Sequence, residues 1–186
     1  MTDLKVNIGC GRLRVPGYVG VDMFPSDAID VLHDLRVLPW PFDDNSVDHL
    51  ITWHCLEHLP GTSMTDAVGE IHRILKPGAE AYIKVPYGLK PSLFNPYHHH
   101  AFDEHSFDGW CGLNPHTGGD GCLQLDDGVI FTRRAQKIVS VSGFPVWHIV
   151  HKLPWTEGIL FTRDIHRTSS WIPSRVRELR EWLVKR

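Results

Sequence analysis

The sequence predicts one doubly wound α/β domain on a mostly parallel sheet, and three observations carry that reading. Short apolar runs recur through the first 86 residues. A segment of helical period separates the last two of them, and the earlier runs close on glycine or on an acid. Near-continuous apolar strands joined by helical crossovers are what a sheet buried on both faces requires.

Lys5-Val6-Asn7-Ile8 reads as the first strand and ends in Gly9-Cys10-Gly11. Tyr18 to Asp22 is a second, Ile29 to Asp34 a third, and Val47 to Trp53 a fourth. Ala79 to Val85 is a fifth, stopped by Pro86, which has no N–H to give a ladder. Between the last two, Met64, Ala67, Val68, Ile71, Ile74 and Leu75 share one helical face. Lys76-Pro77-Gly78 closes that helix with a positive charge, a breaker and a residue tolerant of left-handed backbone. From Gly88 to Gly128 glycine, proline and histidine dominate, and the segment reads as a long irregular loop. Strands are expected at Val129–Phe131, Gln136–Val141, Val146–Val150 and Ile159–Thr162, with a turn at Arg133-Arg134, forming an antiparallel edge. Ile172, Val176, Leu179 and Leu183 then give the stripe of a terminal helix opened by Pro173, spanning 170–186.

The 186 residues suit one domain, 1–186, with a cofactor-binding half at 6–86 and a substrate loop with edge strands at 87–168. Hydrophobic content of 42% and charged content of 22% are ordinary for a globular chain. A net charge of −3 argues against a nucleic-acid partner, since gripping phosphates leaves a basic excess. The basic stretch Arg175 to Arg186 reads as a solvated helix face. No apolar run reaches the ~20 residues of a membrane helix, so a cytoplasmic location is expected. Cys10, Cys55, Cys111 and Cys122 are too scattered for a disulfide scaffold and are expected to be reduced thiols.

The chemistry begins at Gly9-Cys10-Gly11. A strand, a Gly-x-Gly turn and a second strand ending in an acid form the logic of nucleoside binding: backbone approaches the ligand closely, and Asp22 accepts hydrogen bonds from the ribose hydroxyls. A dinucleotide site wants a third glycine and a full helix before the acid. Here Arg12-Leu13-Arg14-Val15-Pro16-Gly17 leaves no room for that helix, and a second acid, Asp34, stands after the third strand. An adenosine lacking phosphates fits better.

With these residues in place, the sequence resembles the class I S-adenosylmethionine-dependent methyltransferases, which have a Rossmann-like sheet. The resemblance rests on the ordered motifs Val6 to Gly11, Gly17 to Asp22, Asp34-Leu35, Leu38-Pro39-Trp40-Pro41-Phe42, Ser46-Val47-Asp48, His54-Cys55-Leu56-Glu57-His58-Leu59 and Arg73 to Gly78. It covers about the first half of the chain, and departs from larger members in its abbreviated N-terminal helices. It implies that Gly9, Cys10 and Gly11 pass under the methionine part of the cofactor, S-adenosyl-L-methionine. Asp22 would hold the ribose hydroxyls, Met23 pack on the adenine, Asp34 and the Leu35 backbone meet its amino group, and His54 lie near the sulfur.

Methyl transfer needs alignment and, for an acceptor that must lose a proton, a base. Candidates are His54 and His58 after the fourth strand, and Tyr87 with His98, His99 and His100 after the fifth; His54, His58, His98 and His100 are taken as the catalytic set. Glu57 and His58 are expected to orient their loop. His98, His99, His100, His105, Cys111, His116 and Cys122 invite a zinc reading, but the two cysteines stand eleven positions apart, without the close pairs of such sites. The segment reads instead as a substrate-covering loop with Phe102, Phe107 and Trp110 packed down, and no metal is expected. The acceptor class is a small molecule or a sugar-containing (glycan-type) metabolite. A catalytically silent partner subunit is the alternative, opposed by the intact Asp22 and Asp34. A dinucleotide oxidoreductase is opposed by the missing glycine and helix.

Overall fold

The computed structural model describes residues 3–61, 63–88, 94–103, 105–111, 131–140 and 176–185. Strands β1 (Lys5–Ile8), β2 (Val19–Asp22), β3 (Val31–Leu32) and β4 (Val47–Trp53) lead through a 3-10 turn, Leu56–His58, to helix α1 (Ser63–Ile74). They are followed by β5 (Leu75–Pro86), the short helix α2 (Asp108–Cys111), β6 (Phe131–Ser140) and β7 (Val176–Lys185). Among the described residues these strands make one seven-stranded sheet in the order β3-β2-β1-β4-β5-β7-β6.

β3 to β5 run parallel, and β7 lies antiparallel between β5 and β6. The predicted doubly wound sheet with a reversed strand is therefore present. Val6, Ile8, Val21, Leu50, Ala81, Ile83 and Val85 are buried in its core. No helix separates β1 from β2, as the Pro16-Gly17 pair dictates. The apolar stripe of α1 is buried at Met64, Ala67, Val68, Ile71 and Ile74, and an aliphatic side chain fully withdrawn from water contributes about 1.5–3 kcal/mol.

Three expectations are corrected. The terminal helix predicted at 170–186 is instead strand β7 over Val176–Lys185, residues 170–175 and 186 lying outside the described ones. Its sequence places apolar residues at both helical and alternating spacings. The ladder edge of β5 decides between them, pairing Glu80 with Val184 through Pro86 with Glu178, and tertiary pairing overrides local propensity. The turn at Arg133-Arg134 is instead a bulge within β6, where the register with β7 shifts between Arg133 and Ala135. β5 begins at Leu75 and absorbs Pro77 and Gly78 in an irregularity, its pairing with β4 jumping from Val47↔Leu75 to His49↔Glu80. The strands expected at Val146–Val150 and Ile159–Thr162 lie outside the described residues.

The loop after β5 is tied down by a bridge between Tyr87 and Phe102. Phe102 and Phe107 are buried and stacked with centroids 5.7 Å apart, and Trp110 leans on Phe107 at 5.8 Å. β1 is flanked by β2 on one side and β4 on the other, so the chain direction across the sheet reverses there. A crevice opens at such a switch point, beyond the carboxyl ends of the strands.

Candidate active site

The turn after β1 enters that crevice. Gly9 and Gly11 take φ of +66° and +56°, a left-handed region that side-chain-bearing residues avoid. A Cβ on Gly9 would sit 2.2 Å from Cys55 Sγ, so the turn fits closely against the loop after β4. A Cβ on Gly11 would meet nothing within 4 Å and would stand in open space. Cys10 is buried and hydrogen-bonds from its backbone N–H to Val21 O at 3.1 Å, joining the turn to β2.

Asp22, at the end of β2, accepts Gly11 N–H at 2.8 Å on Oδ2 and Phe24 N–H at 3.0 Å on Oδ1. Each oxygen keeps a second lone pair for another donor. Asp34 follows β3, and its carboxylate is taken by Arg36, with Nε to Oδ1 at 2.9 Å and Nη2 to Oδ2 at 2.6 Å. Those hydrogen bonds hold the Asp34 pKa down at about 2. Leu35 is buried, and its carbonyl accepts the Trp40 indole N–H at 3.0 Å.

His54 follows β4 at φ +53°, with Nδ1 3.2 Å from Glu57 Oε1. Glu57 is fully buried in the 3-10 turn, where its carbonyl accepts His99 N–H at 2.7 Å. His58 Nδ1 stands 2.9 Å from Tyr97 O. A carbonyl only accepts, so that nitrogen carries the proton and His58 Nε2 keeps its lone pair. Burial pushes the Cys10 thiol up, and pushes that of Cys55 up to about 12, so both stay protonated. Cys10, Cys55 and Cys111 are free of disulfides.

Most of the predicted cofactor residues line one cavity of about 900 Å³, whereas Cys10 is not in its lining. The lining brings together Gly9, Gly11, Asp22 and Met23 from the ends of β1 and β2, Asp34, Leu35 and Arg36 after β3, His54, Cys55 and His58 after β4, and Tyr97 and His99 from the loop after β5. Of the histidines taken as the catalytic set, His54 and His58 face this cavity. His98 and His100 are not in its lining, whereas His99 is. His98 packs edge-on against the His58 ring instead, and His100 tilts over Phe102. Arg36 had no sequence signal, and the choice among three consecutive histidines had none either. His116 and Cys122 lie outside the described residues.

A methyltransferase-domain family model matches residues 18–83. A curated relative, phosphoethanolamine N-methyltransferase 2 of Caenorhabditis elegans, is 30% identical over 118 residues, covering 52% of this chain and 26% of the relative. The chain thus spans about a quarter of that relative's length. Among solved structures, the 1,6-didemethyltoxoflavin-N1-methyltransferase of Burkholderia thailandensis, with 1,6-didemethyltoxoflavin and S-adenosylhomocysteine bound, superposes with TM-score 0.57 at 13% identity, covering 98% of this chain and 70% of the other. An S-adenosylmethionine-dependent methyltransferase of Archaeoglobus fulgidus gives TM-score 0.57 at 15% identity, covering 99% and 86%. Residues 18–83 thus carry a methyltransferase-domain match, and the chain shares the fold of these methyltransferases over nearly its whole length. The residues present fit S-adenosylmethionine, the cofactor of such methyltransferases. Gly9 and Gly11 bring backbone without side chains to the cavity lining, and Asp22 lines it with lone pairs to spare. Its volume lies in the ~300–1,000 Å³ range of ligand pockets. Among the described residues no helix is long and apolar enough to cross a membrane.

Proposed function

We propose that this protein transfers a methyl group from S-adenosylmethionine to a small-molecule or sugar-containing acceptor. The observation that carries the reading is the convergence of the Gly9–Gly11 turn and the Asp22 carboxylate with His54, His58 and His99 on one cavity. When bound, the cofactor would supply an electrophilic methyl carbon for in-line attack by the acceptor atom, the bond to the acceptor forming as the carbon–sulfur bond breaks and its electron pair goes to sulfur. Asp22 accepts the two ribose hydroxyls, and the glycine turn lets backbone lie against the cofactor. Asp34, Leu35 and Met23 form the adenine end. His54, which lines the cavity with Nδ1 3.2 Å from Glu57 Oε1, is the base assigned to take the proton an oxygen or nitrogen acceptor must lose. The loop at 95–100, pinned to the Glu57 carbonyl through His99, forms the acceptor wall with Tyr97 and His99.

The similarity to a phosphoethanolamine N-methyltransferase over 118 residues supports an acceptor of small size. Tyr97 and His99 offer planar and hydrogen-bonding surfaces suited to a ring-containing acceptor. Calorimetric titration tests the cofactor assignment: S-adenosylmethionine and S-adenosylhomocysteine are both expected to bind, and NAD to give no heat. Absence of heat from both sulfur ligands would overturn it. For the base, His54→Ala is expected to bind the cofactor as the parent does and to lose turnover on any acceptor found by screening. Full turnover in that variant would remove His54 from the role.

A further inference from the structure

Glu57, the partner of His54, also belongs to a cluster of groups that can ligate a metal ion. One carboxylate oxygen of Glu57 and one ring nitrogen from each of His58 and His98 lie within 4.8 Å of one another. Glu57 is 0% exposed. Its Oε1 faces His54 at 3.2 Å, while Oε2 is buried with no hydrogen-bond partner among the described residues. No lysine or arginine pairs with Glu57 among the described residues. A buried carboxylate oxygen left unsatisfied is costly, and a cation is the group that offsets it best.

We infer that Glu57, His58 and His98 hold a divalent first-row metal ion, zinc in the first instance. Two imidazoles and a carboxylate are a zinc-type donor set, and three protein ligands leave the fourth position for water or substrate. Tetrahedral bonds of about 2.0–2.1 Å put ligands roughly 3.4 Å apart, so the 4.8 Å limit asks each side chain for a short inward move. His58 is already arranged for it: Nδ1–H donates to Tyr97 O at 2.9 Å, the outer bond that fixes a ligating histidine and turns Nε2 outward. His98 is held by the Asn95 amide, 2.9 Å from its Nε2. The amide can present its oxygen there once a metal occupies the other nitrogen, at the cost of the Tyr97 N–H bond to Asn95 Oδ1. The 95–100 loop is thereby drawn onto the 3-10 turn.

His58 also lines the cavity, so the open position faces the acceptor side. An acceptor hydroxyl bound there would give up its proton more readily than in water. That use of the open position rests on the methyl-transfer reading; the binding of the ion does not. The site differs from a zinc site in the His/Cys segment through Cys122, because Glu57 and His58 come from the loop after β4.

The test uses the full chain with the metal as sole probe. After dialysis against excess zinc and then metal-free buffer, elemental analysis is expected to find one zinc per chain. Titration with Co²⁺ is expected to give the visible absorption of a low-coordinate site. Glu57→Gln and His58→Ala should each weaken metal binding tenfold or more. His58 is exposed, so its variant tests the site even if Glu57→Gln does not fold. His116→Ala combined with Cys122→Ser should leave the affinity unchanged. A parent protein that retains no metal, an undiminished affinity in His58→Ala, or loss of binding in the His116/Cys122 variant each overturns the inference. S-adenosylhomocysteine binding measured beside it separates the two readings: bound ligand without metal sinks only the metal site, and metal without bound ligand sinks only the methyl-transfer reading.

Discussion

Asp22 and Asp34 follow successive strands and look equivalent in the sequence, yet their surroundings differ. Asp22 is held by two backbone N–H groups and retains lone pairs toward the cavity, whereas Asp34 already carries the Arg36 guanidinium. Asp22→Ala is therefore expected to weaken S-adenosylmethionine binding tenfold or more, about 1.4 kcal/mol. Asp34→Ala should cost only a few-fold, and calorimetric titration of both variants checks the order; equal losses would refute it. Both acids were legible because a strand ending in an acid has a clear signature. Arg36 was not, since an ion pair two residues apart in a loop leaves no periodic trace. Nor could sequence choose among His98, His99 and His100, because neighbouring side chains diverge by an angle the loop alone sets. The thiols yield a second expectation. Burial raises the Cys10 and Cys55 pKa values, so at pH 8 iodoacetamide should alkylate both at least tenfold more slowly than free cysteine, as mass spectrometry would show. Labelling at the free-thiol rate would contradict that burial.

Elements are joined by contacts that the motifs contained without declaring. Arg73, in the last turn of α1, reaches the Trp40-Pro41-Phe42 loop: it donates to Glu70 Oε1 and Oε2 at 2.7 Å, to Trp40 O at 3.0 Å and to Phe42 O at 2.8 Å. Glu70 in turn accepts Trp40 N–H at 2.6 Å. Two motifs some 30 residues apart thus form one clamp on the backbone of Trp40, whose side chain is buried. Arg73→Ala leaves Glu70 with only the Trp40 N–H and removes the guanidinium donor from two carbonyls, and should destabilise by about 3 kcal/mol in urea unfolding; a change below about 1 kcal/mol would show the clamp to be ornamental. At β2, a Cβ on Gly20 would lie 2.2 Å from Ala28 O, so Gly20→Ala forces the 28–30 turn off the strand. A loss of roughly 1–3 kcal/mol is expected. The parallel strands and α1 were readable because each has a single period. β7 was not: Val176, Leu179 and Leu183 satisfy a helix, and only the unpaired edge of β5, a feature of the sheet and absent from the segment itself, makes them a strand.

Across the whole molecule, titrating groups set a window of stability. Burial depresses His49, so the folded state prefers it neutral; its contribution is complete above the unfolded value of about 6.5 and fades as pH falls below that. Asp30, Asp34 and Asp48 are depressed by hydrogen bonds to Gly20 N–H, Arg36 and Lys76, and their contributions, present above about pH 4, go as pH drops further. On the alkaline side the raised Cys10 and Cys55 contribute below the unfolded thiol value of about 8.5 and are lost as pH climbs toward their folded values. Urea midpoints should be level between about pH 7 and 8.5 and decline on both sides; a midpoint unchanged down to pH 5 would contradict the His49 sign. The strand order also sets a schedule. β6 touches the sheet only through β7 among the described strands, and β7 is translated some 90 residues after β5, its partner on the other side. Until the ribosome releases it, β5 presents an open ladder and β6 has nothing to join. The nascent protein therefore passes through a stage of bare strand edges, the condition in which chains pair with one another instead of with themselves.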